Sequence, residues 1–154
     1  METPTFTSSI HYQDPKAAVA WLERAFGFEL TMAIEGPADA PEMCHYEMSV
    51  GEQGRIMVGG QWEELVRSPK SVGGVNTQAV HVMLQTDLDA HCQRARAAGG
   101  QILAEPAEQF YGDRTYRVAD LEGHRWAFAV RVREVTRAEA EATIGQPIMA
   151  KNWP

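Results

Sequence analysis

The sequence has little of what marks disulfide-rich, membrane or nucleic-acid-binding proteins. It contains only two cysteines, Cys44 and Cys92, which are too few for a disulfide framework and are not in a metal-ligand spacing. No apolar run approaches the ~20 residues that a membrane-spanning helix needs, and we expect no signal peptide. Basic residues are also scarce, because 14 Lys and Arg stand against 21 Asp and Glu, a formal net charge of −7. We therefore expect a cytoplasmic protein without nucleic-acid or membrane partners.

What is present is the composition of one ordinary globular domain. Hydrophobic residues make up 44% of the 154 positions and charged residues 23%, which argues against global disorder. A chain of this length can bury a core without the support of disulfides or a structural metal. We therefore expect residues 1–154 to form a single domain.

The first part of the chain, residues 5–60, predicts a strand, a helix and three further strands. β-branched and aromatic residues at its start predict a strand. Asp14 and Pro15 are typical of a helix start, and Gly27 is typical of a helix end. The three strands that follow are predicted over 28–34, 42–50 and 55–58, with turn residues between them.

The second part, residues 76–132, repeats this order. A strand is predicted up to residue 86, followed by a helix and three strands over 101–105, 115–119 and 125–132. The helix boundaries match at a constant offset, since Asp87 lies 87 − 14 = 73 residues after Asp14 and Gly100 lies 100 − 27 = 73 residues after Gly27. A duplicated βαβββ module explains this repetition. A linker over 61–75 joins the modules, and 133–154 is predicted as a C-terminal helix and tail.

Three groups of residues, taken with this order, resemble a known superfamily. They are the first helix with its flanking residues (DPKAAVAWLERAFGF, 14–28), the second helix (87–99), and the motifs YGDR (111–114) and DLEGHRW (120–126). The set is similar to the vicinal oxygen chelate superfamily, in its glyoxalase/bleomycin-resistance-like branch. One departure is Leu121, where the family usually has proline.

The resemblance implies an α+β fold in which two βαβββ modules form curved mixed sheets that enclose a pocket. Members pair modules within one chain or across a dimer, so a homodimer is expected, and the pairing mode stays open. Some members bind a divalent metal and act as enzymes, and others sequester a drug without metal. Ligand positions are therefore the feature that separates the two groups.

The family metal ligands are absent from the positions that the resemblance assigns to them. A histidine is usual seven residues before the helix cap, where this chain has Thr7 and Val80, and a glutamate is usual where it has Ala127. The last strand of the first module, 55–58, has no carboxylate or imidazole either. A catalytic metal needs about three such ligands, so we expect neither a metal nor another cofactor.

A different metal set remains as an alternative. His45 and Glu47 are two residues apart on one predicted strand and so share a face, and His11 lies on the first strand. Together they could form a two-His, one-carboxylate site for iron or zinc. The favoured interpretation is a polar strand face without metal.

Five residues are predicted to bind a ligand. Alternation places Ser9 and His11 on the pocket face of the first strand. Tyr111, Arg114 and Tyr116 cluster near the last strands, where aromatic rings could stack on a ligand and the guanidinium could pair with an anionic group. Structural roles compete with these, since Tyr116 could belong to the core and Arg114 could pair with a neighbouring aspartate.

One register stays open in the second module. Family spacing turns Val80, Val82 and Leu84 toward the pocket, whereas their hydrophobicity turns them toward the helix. The two interpretations place opposite faces of this strand against a ligand.

The leading functional hypothesis is metal-independent binding of a small amphipathic or aromatic molecule in the concave pocket. The alternative is a glyoxalase-like lyase or isomerase, which would use the His11/His45/Glu47 metal set or a His or Glu general base.

Overall fold

Each half of the chain folds as one strand, one helix and three further strands, which confirms the predicted order. The computed structural model describes residues 3–153. The first half contains β1 (Ser8–His11), α1 (Pro15–Phe26), β2 (Glu29–Ile34), β3 (His45–Val50) and β4 (Gly54–Gly59). The second half contains β5 (Ala79–Met83), α2 (Leu88–Ala97), β6 (Gln101–Glu108), β7 (Asp113–Ala119) and β8 (Arg125–Arg131). A helix α3 (Arg137–Ile144) follows, and short 3-10 helices lie at Pro41–Met43 and Pro69–Val72.

The two halves form separate four-stranded mixed sheets of the same topology. The strand orders are β1-β4-β3-β2 and β5-β8-β7-β6. In each sheet the first strand runs parallel to the last, and the other neighbours are antiparallel. The α+β class and the paired modules are therefore confirmed. None of the helices within residues 3–153 is long and apolar enough to cross a membrane.

Local sequence signals account for the helix starts. The Asp14 carboxylate accepts a hydrogen bond from the Ala17 amide at 3.0 Å, and Asp87 accepts one from Ala90 at 3.1 Å. Each bond satisfies one of the amides that a helix leaves unpaired in its first turn. α1 ends at Gly27, whose φ of 71° is a left-handed conformation that glycine adopts without a steric penalty.

The helix α1 joins the two halves through an aromatic cluster. The Phe26 ring centroid lies 5.1 Å from Trp21 and 5.5 Å from Phe28 in its own half. It also lies 5.4 Å from Trp126 and 4.7 Å from Phe128 of β8. All five side chains are buried. Because one ring contacts both sheets' cores, burial at Phe26 ties the halves together.

A buried aspartate in the turn between β7 and β8 adds a polar contact between the halves. Asp120 Oδ2 accepts hydrogen bonds from the Tyr12 hydroxyl at 2.7 Å and from Trp126 Nε1 at 3.1 Å. Its Oδ1 accepts the backbone amides of Glu122 and His124, each at 3.0 Å. Burial, with the Asp120 carboxylate beside it, raises the pKa of the Tyr12 phenol well above its ordinary value.

Glu122, in the same turn, holds the start of α1 and the linker. Its carboxylate accepts the backbone amides of Gln13 at 2.7 Å and Asp14 at 3.1 Å, and the Ser68 hydroxyl at 2.5 Å. Glu122 and Ser68 are both buried. We call Asp120 and Glu122 together the polar clamp, because they fix one half of the chain and the linker to the other half.

The two modules differ by one residue between the first strand and the helix. Tyr12 and Leu84 make equivalent bonds to β4 and β8, at an offset of 84 − 12 = 72, while the helix caps are offset by 73. The extra residue in the second module lies between β5 and α2. The position equivalent to Thr7 is therefore Ala79, at 7 + 72 = 79, and the predicted equivalence with Val80 is wrong by one residue.

Candidate functional site

The face of each sheet turned away from its helix is called the open face. On β1, Ser9 and His11 lie on this face, whereas Ile10 and Tyr12 are buried against α1. On β5, Val82 is buried in the core and His81 is exposed on the open face. The structure therefore has the register that hydrophobicity favours, in which Val80, Val82 and Leu84 face the core and not the open face.

His11 is held in one orientation on the open face. Its Nδ1 lies 3.0 Å from the Gly60 carbonyl oxygen, to which it donates, and its Nε2 lies 3.2 Å from the Ser9 hydroxyl. The ring lies against Gly59, where an added Cβ would be 3.3 Å from Nδ1. Any larger residue at position 59 would therefore push the imidazole away from its carbonyl partner.

The family metal positions do not fit a metal in this chain. The first-strand positions carry Thr7 and Ala79, and the last strands present Met57 and Ala127 opposite Ser9 and His81. These four side chains offer no imidazole or carboxylate. The donor set that the family uses is therefore missing on both modules.

The alternative metal set is not brought together either. His45 Nε2 lies 3.4 Å from Glu47 Oε1, and Glu47 also pairs with Arg55 at 3.4 Å. His11 lies on β1, which β4 separates from β3. Within residues 3–153 no three His, Cys, Asp or Glu side chains converge on a possible metal position. The suggested His11, His45 and Glu47 site is therefore corrected to a cross-strand polar cluster on β3 and β4.

Tyr116 lies in the core and not at a pocket. Its side chain has 0% exposure, its ring stacks on Phe128 at 5.4 Å, and its hydroxyl lies 2.7 Å from His91 Nδ1. Burial raises the pKa of this phenol above its ordinary value. The structure therefore places Tyr116 in the core, where its ring has no accessible surface for stacking on a ligand.

Arg114 and Tyr111 belong to the second half of the chain, whose sheet is separate from the sheet that carries Ser9 and His11. The Arg114 guanidinium binds the Asp89 carboxylate of α2 with two hydrogen bonds, at 2.9 and 2.8 Å. Tyr111 lies between β6 and β7 with its ring edge-to-face against Phe110 at 5.1 Å. The five predicted ligand-binding residues are therefore not assembled into one site within this chain.

His91 gives the fold a pH-dependent stability. Its Nε2 donates to the Phe26 carbonyl oxygen at 3.1 Å, and its Nδ1 accepts the Tyr116 hydroxyl. Burial lowers the pKa of His91 below its ordinary value. The unfolded chain therefore binds more protons than the folded chain as pH falls through about 6.5. The contribution of neutral His91 to stability is complete above that pH and is lost below it.

We expect His91→Gln to lower the free energy of unfolding by about 1–3 kcal/mol at pH 8, because buried hydrogen bonds are lost. At pH 5 the difference in free energy of unfolding between the variant and the unchanged protein should be smaller. The reason is that protonation of His91 destabilises only the unchanged protein. Urea unfolding at both pH values measures this. His81→Gln, at an exposed position on the open face, is the control and should change the free energy of unfolding at pH 8 by less than about 0.5 kcal/mol. A difference that is equal at both pH values would contradict this account.

A cavity of about 590 Å³, which we call the larger cavity, lies between β5 and the turn that joins β3 to β4. Its lining is mixed: Phe6, Ile56 and Met83 are apolar, and Arg55 and His81 are polar. Arg55, His81 and Met83 were not predicted as site residues. The alternation of β5, taken with the hydrophobic register, is the signal that finds His81 and Met83.

The polar clamp belongs to the second module. The larger cavity lies at the equivalent place in the first module. The strand registers make Val50 equivalent to Asp120 and Glu52 equivalent to Glu122, at an offset of 70, and Leu84 equivalent to Tyr12. Val50 and Leu84 are apolar and pack against the core. Glu52 is exposed and makes no hydrogen bond or ion pair within residues 3–153. The first module therefore lacks the clamp, and the cavity lies at that place.

The smaller cavity, about 450 Å³, lies beneath the linker. It contains the two predicted residues Ser9 and His11, and adds Arg67, Asn76 and His124. Sequence reasoning missed these three, because the path of the linker depends on the long-range bond between Ser68 and Glu122.

Comparison with known proteins gives three kinds of similarity. A family model described as the Glyoxalase/Bleomycin resistance protein/Dioxygenase superfamily matches residues 8–128. An uncharacterised protein of Mycobacterium bovis is 39% identical over 146 residues, 92% of each chain. TioX from Micromonospora sp. ML1 is 34% identical with a TM-score of 0.62, over 85% of this chain and 98% of TioX. TnmS3, an antibiotic binding protein from Streptomyces sp. CB03234, has the same fold at 17% identity and a TM-score of 0.62, over 85% and 97% of the chains.

Proposed function

Because the chain belongs to the glyoxalase/bleomycin resistance protein/dioxygenase superfamily, we propose that it binds an amphipathic or aromatic small molecule without using a metal. The observation that carries the proposal is the cavity of about 590 Å³ between β5 and the β3–β4 turn. Its volume is within the range of roughly 300–1,000 Å³ that small-molecule sites have. The antibiotic-binding function named for TnmS3, a protein of the same fold, supports an antibiotic-like ligand.

The lining supports the proposed ligand chemistry. Phe6 is 81% exposed and Met83 is 51% exposed, so both present apolar surface that a ligand would remove from water. Such burial favours binding by about 25 cal/mol per Å². Arg55 and His81 supply the few polar groups that orient a ligand in sites of this kind.

The enzyme alternative has less support from the geometry. The metal form needs His11, His45 and Glu47 to converge, and they do not. The general-base form needs His11 or Glu47 to face a substrate with a free basic atom. Both nitrogens of His11 are hydrogen-bonded, and Glu47 contacts both His45 and Arg55.

We also propose that the protein is a homodimer. Met32 is 38% exposed and Ile34 is 54% exposed, and their registers with Glu47 and His45 place both on the open face. A second copy could cover this apolar surface by a twofold contact. Light scattering measures the mass directly, and a monomer at micromolar concentration would contradict the proposal.

The proposed location is the cytoplasm. Cys44 and Cys92 are both free thiols in the structure, which fits a reducing compartment. Cell fractionation tests this, and recovery from the extracellular fraction would contradict it.

The binding proposal is tested with the uncharged aromatic dye N-phenyl-1-naphthylamine, which has no anionic group for Arg67 of the smaller cavity. The unchanged protein should bind one dye per chain, and Met83→Trp should weaken this by about tenfold, because the larger side chain fills the cavity. Met149→Trp is the matched control, since Met149 is fully exposed and lies outside the cavity. Fluorescence titration measures both. Equal affinity in the two variants, with both folded by circular dichroism, would contradict the assignment of the site.

A further inference from the structure

The smaller cavity is separate from the larger one and differs from it in charge. No residue lines both cavities. The larger cavity has Glu52 in its lining, whereas none of the described residues around the smaller cavity is acidic. Its ionisable side chains are Arg67, His11 and His124. In a chain with a net charge of −7, this is a local surface that favours an anion.

Arg67 offers the strongest contact for an anion. Its guanidinium makes no ion pair or hydrogen bond within residues 3–153, and it is exposed at the cavity. Arg114, in contrast, is held by two bonds to Asp89. The linker carboxylates Glu63 and Glu64 do not line the cavity and do not pair with Arg67. The planar fork of this guanidinium is therefore available to bind a carboxylate with two hydrogen bonds.

His11 and His124 line the smaller cavity together with Arg67, and hydrogen bonds hold both imidazole rings in place. His124 Nε2 lies 2.7 Å from the His11 carbonyl oxygen, which can only accept, so this nitrogen carries a proton. The His124 ring is also held edge-on against Tyr12 at 4.7 Å. Its Nδ1 has no partner within the described residues. The buried carboxylates of Asp120 and Glu122, the nearest acids in sequence, are engaged by their own donors and lie outside the cavity lining.

The linker gives the cavity an apolar rim. Leu65 is 90% exposed, Val75 is 63% exposed and Val72 is 42% exposed, and all three line this cavity. A bare inorganic anion would leave these side chains in water. A ligand with a hydrocarbon or aromatic body would cover them and gain the free energy of apolar burial.

From these contacts we infer that the smaller cavity is a second binding site, which takes an organic carboxylate with an apolar body. Arg67 binds the carboxylate, Ser9 and Asn76 lie in the same lining as hydrogen-bonding groups, and Leu65, Val72 and Val75 contact the body. This site uses none of the residues of the larger cavity and stands independently of the function proposed for that cavity.

The test is an NMR titration of the full chain with 4-phenylbutyrate and with its neutral analogue 4-phenylbutanamide. The unchanged protein should bind the carboxylate about tenfold more tightly than the amide, with shifts at the amides of Val75 and Gln78. Arg67→Gln should lower carboxylate affinity about tenfold and leave amide affinity unchanged. Arg67 is exposed, so the variant should keep the unfolding midpoint of the unchanged protein.

Two control variants complete the experiment. Arg137→Gln removes the same charge from an exposed position on α3 and should change neither affinity. Met83→Trp fills the larger cavity and should also change neither. The inference is overturned if the amide binds as tightly as the carboxylate, if inorganic phosphate does, or if Met83→Trp weakens carboxylate binding as much as Arg67→Gln.

Discussion

Asp120→Ala is expected to lower the free energy of unfolding by about 3–5 kcal/mol, because it removes a buried carboxylate that accepts four hydrogen bonds. The Tyr12 hydroxyl and the Trp126 indole N–H are both buried and would be left without their acceptor. Unpaired buried donors cost free energy, whereas exposed ones bind water. The loss should be a large fraction of the roughly 5–15 kcal/mol that stabilises a domain.

Urea unfolding at pH 7 measures this effect. Asp39→Ala is the control, since Asp39 is exposed in a loop and should change stability by less than about 0.5 kcal/mol. Tyr12→Phe removes one of the four donors and should cost about 1 kcal/mol. A small effect of Asp120→Ala, comparable to that of Asp39→Ala, would show that the polar clamp does not hold the halves together.

Phe26→Ala is expected to lower the free energy of unfolding by about 3–5 kcal/mol, the range for removal of a large buried aromatic side chain. The reason is the position of the ring between Trp21 and Phe28 on one side and Trp126 and Phe128 on the other. The cavity left by alanine would be lined by rings from both halves, which cannot collapse without moving one sheet relative to the other.

The matched control is Phe6→Ala. Phe6 is 81% exposed, so the same truncation there should cost less than about 0.5 kcal/mol. Thermal unfolding of both variants separates burial from residue type. If the two truncations were equally costly, the aromatic cluster would not be the contact that joins the modules.

The element order was predictable because its signals are local. Asp14 and Asp87 accept hydrogen bonds from amides only three residues away. A stretch of four residues is therefore enough to predict each helix start. The extra residue between β5 and α2 was not predictable in the same way. It shifts the strand register, which depends on pairing with β8 about 45 residues further along the chain.

The site was predictable only where alternation alone decides it. Ser9 and His11 lie on the predicted open face because the apolar residues Ile10 and Tyr12 are buried on the opposite face, against α1. Tyr116 was predicted as a stacking ring, with a core position as the competing interpretation, and the structure places it in the core. Its partner, His91, lies 25 residues away on α2 and satisfies the Tyr116 hydroxyl inside the core. This contact between Tyr116 and His91 forms only in the folded chain, and no sequence pattern predicts it.

The one-sided clamp makes the two modules chemically unequal where they meet. With identical turns in both halves, the internal twofold symmetry would give an asymmetric ligand two equivalent orientations. Asp120 is buried and lines neither cavity, whereas its apolar counterpart Val50 lines the larger cavity. The proposed ligand would therefore meet different surfaces in the two symmetry-related orientations, and the two orientations would differ in binding free energy.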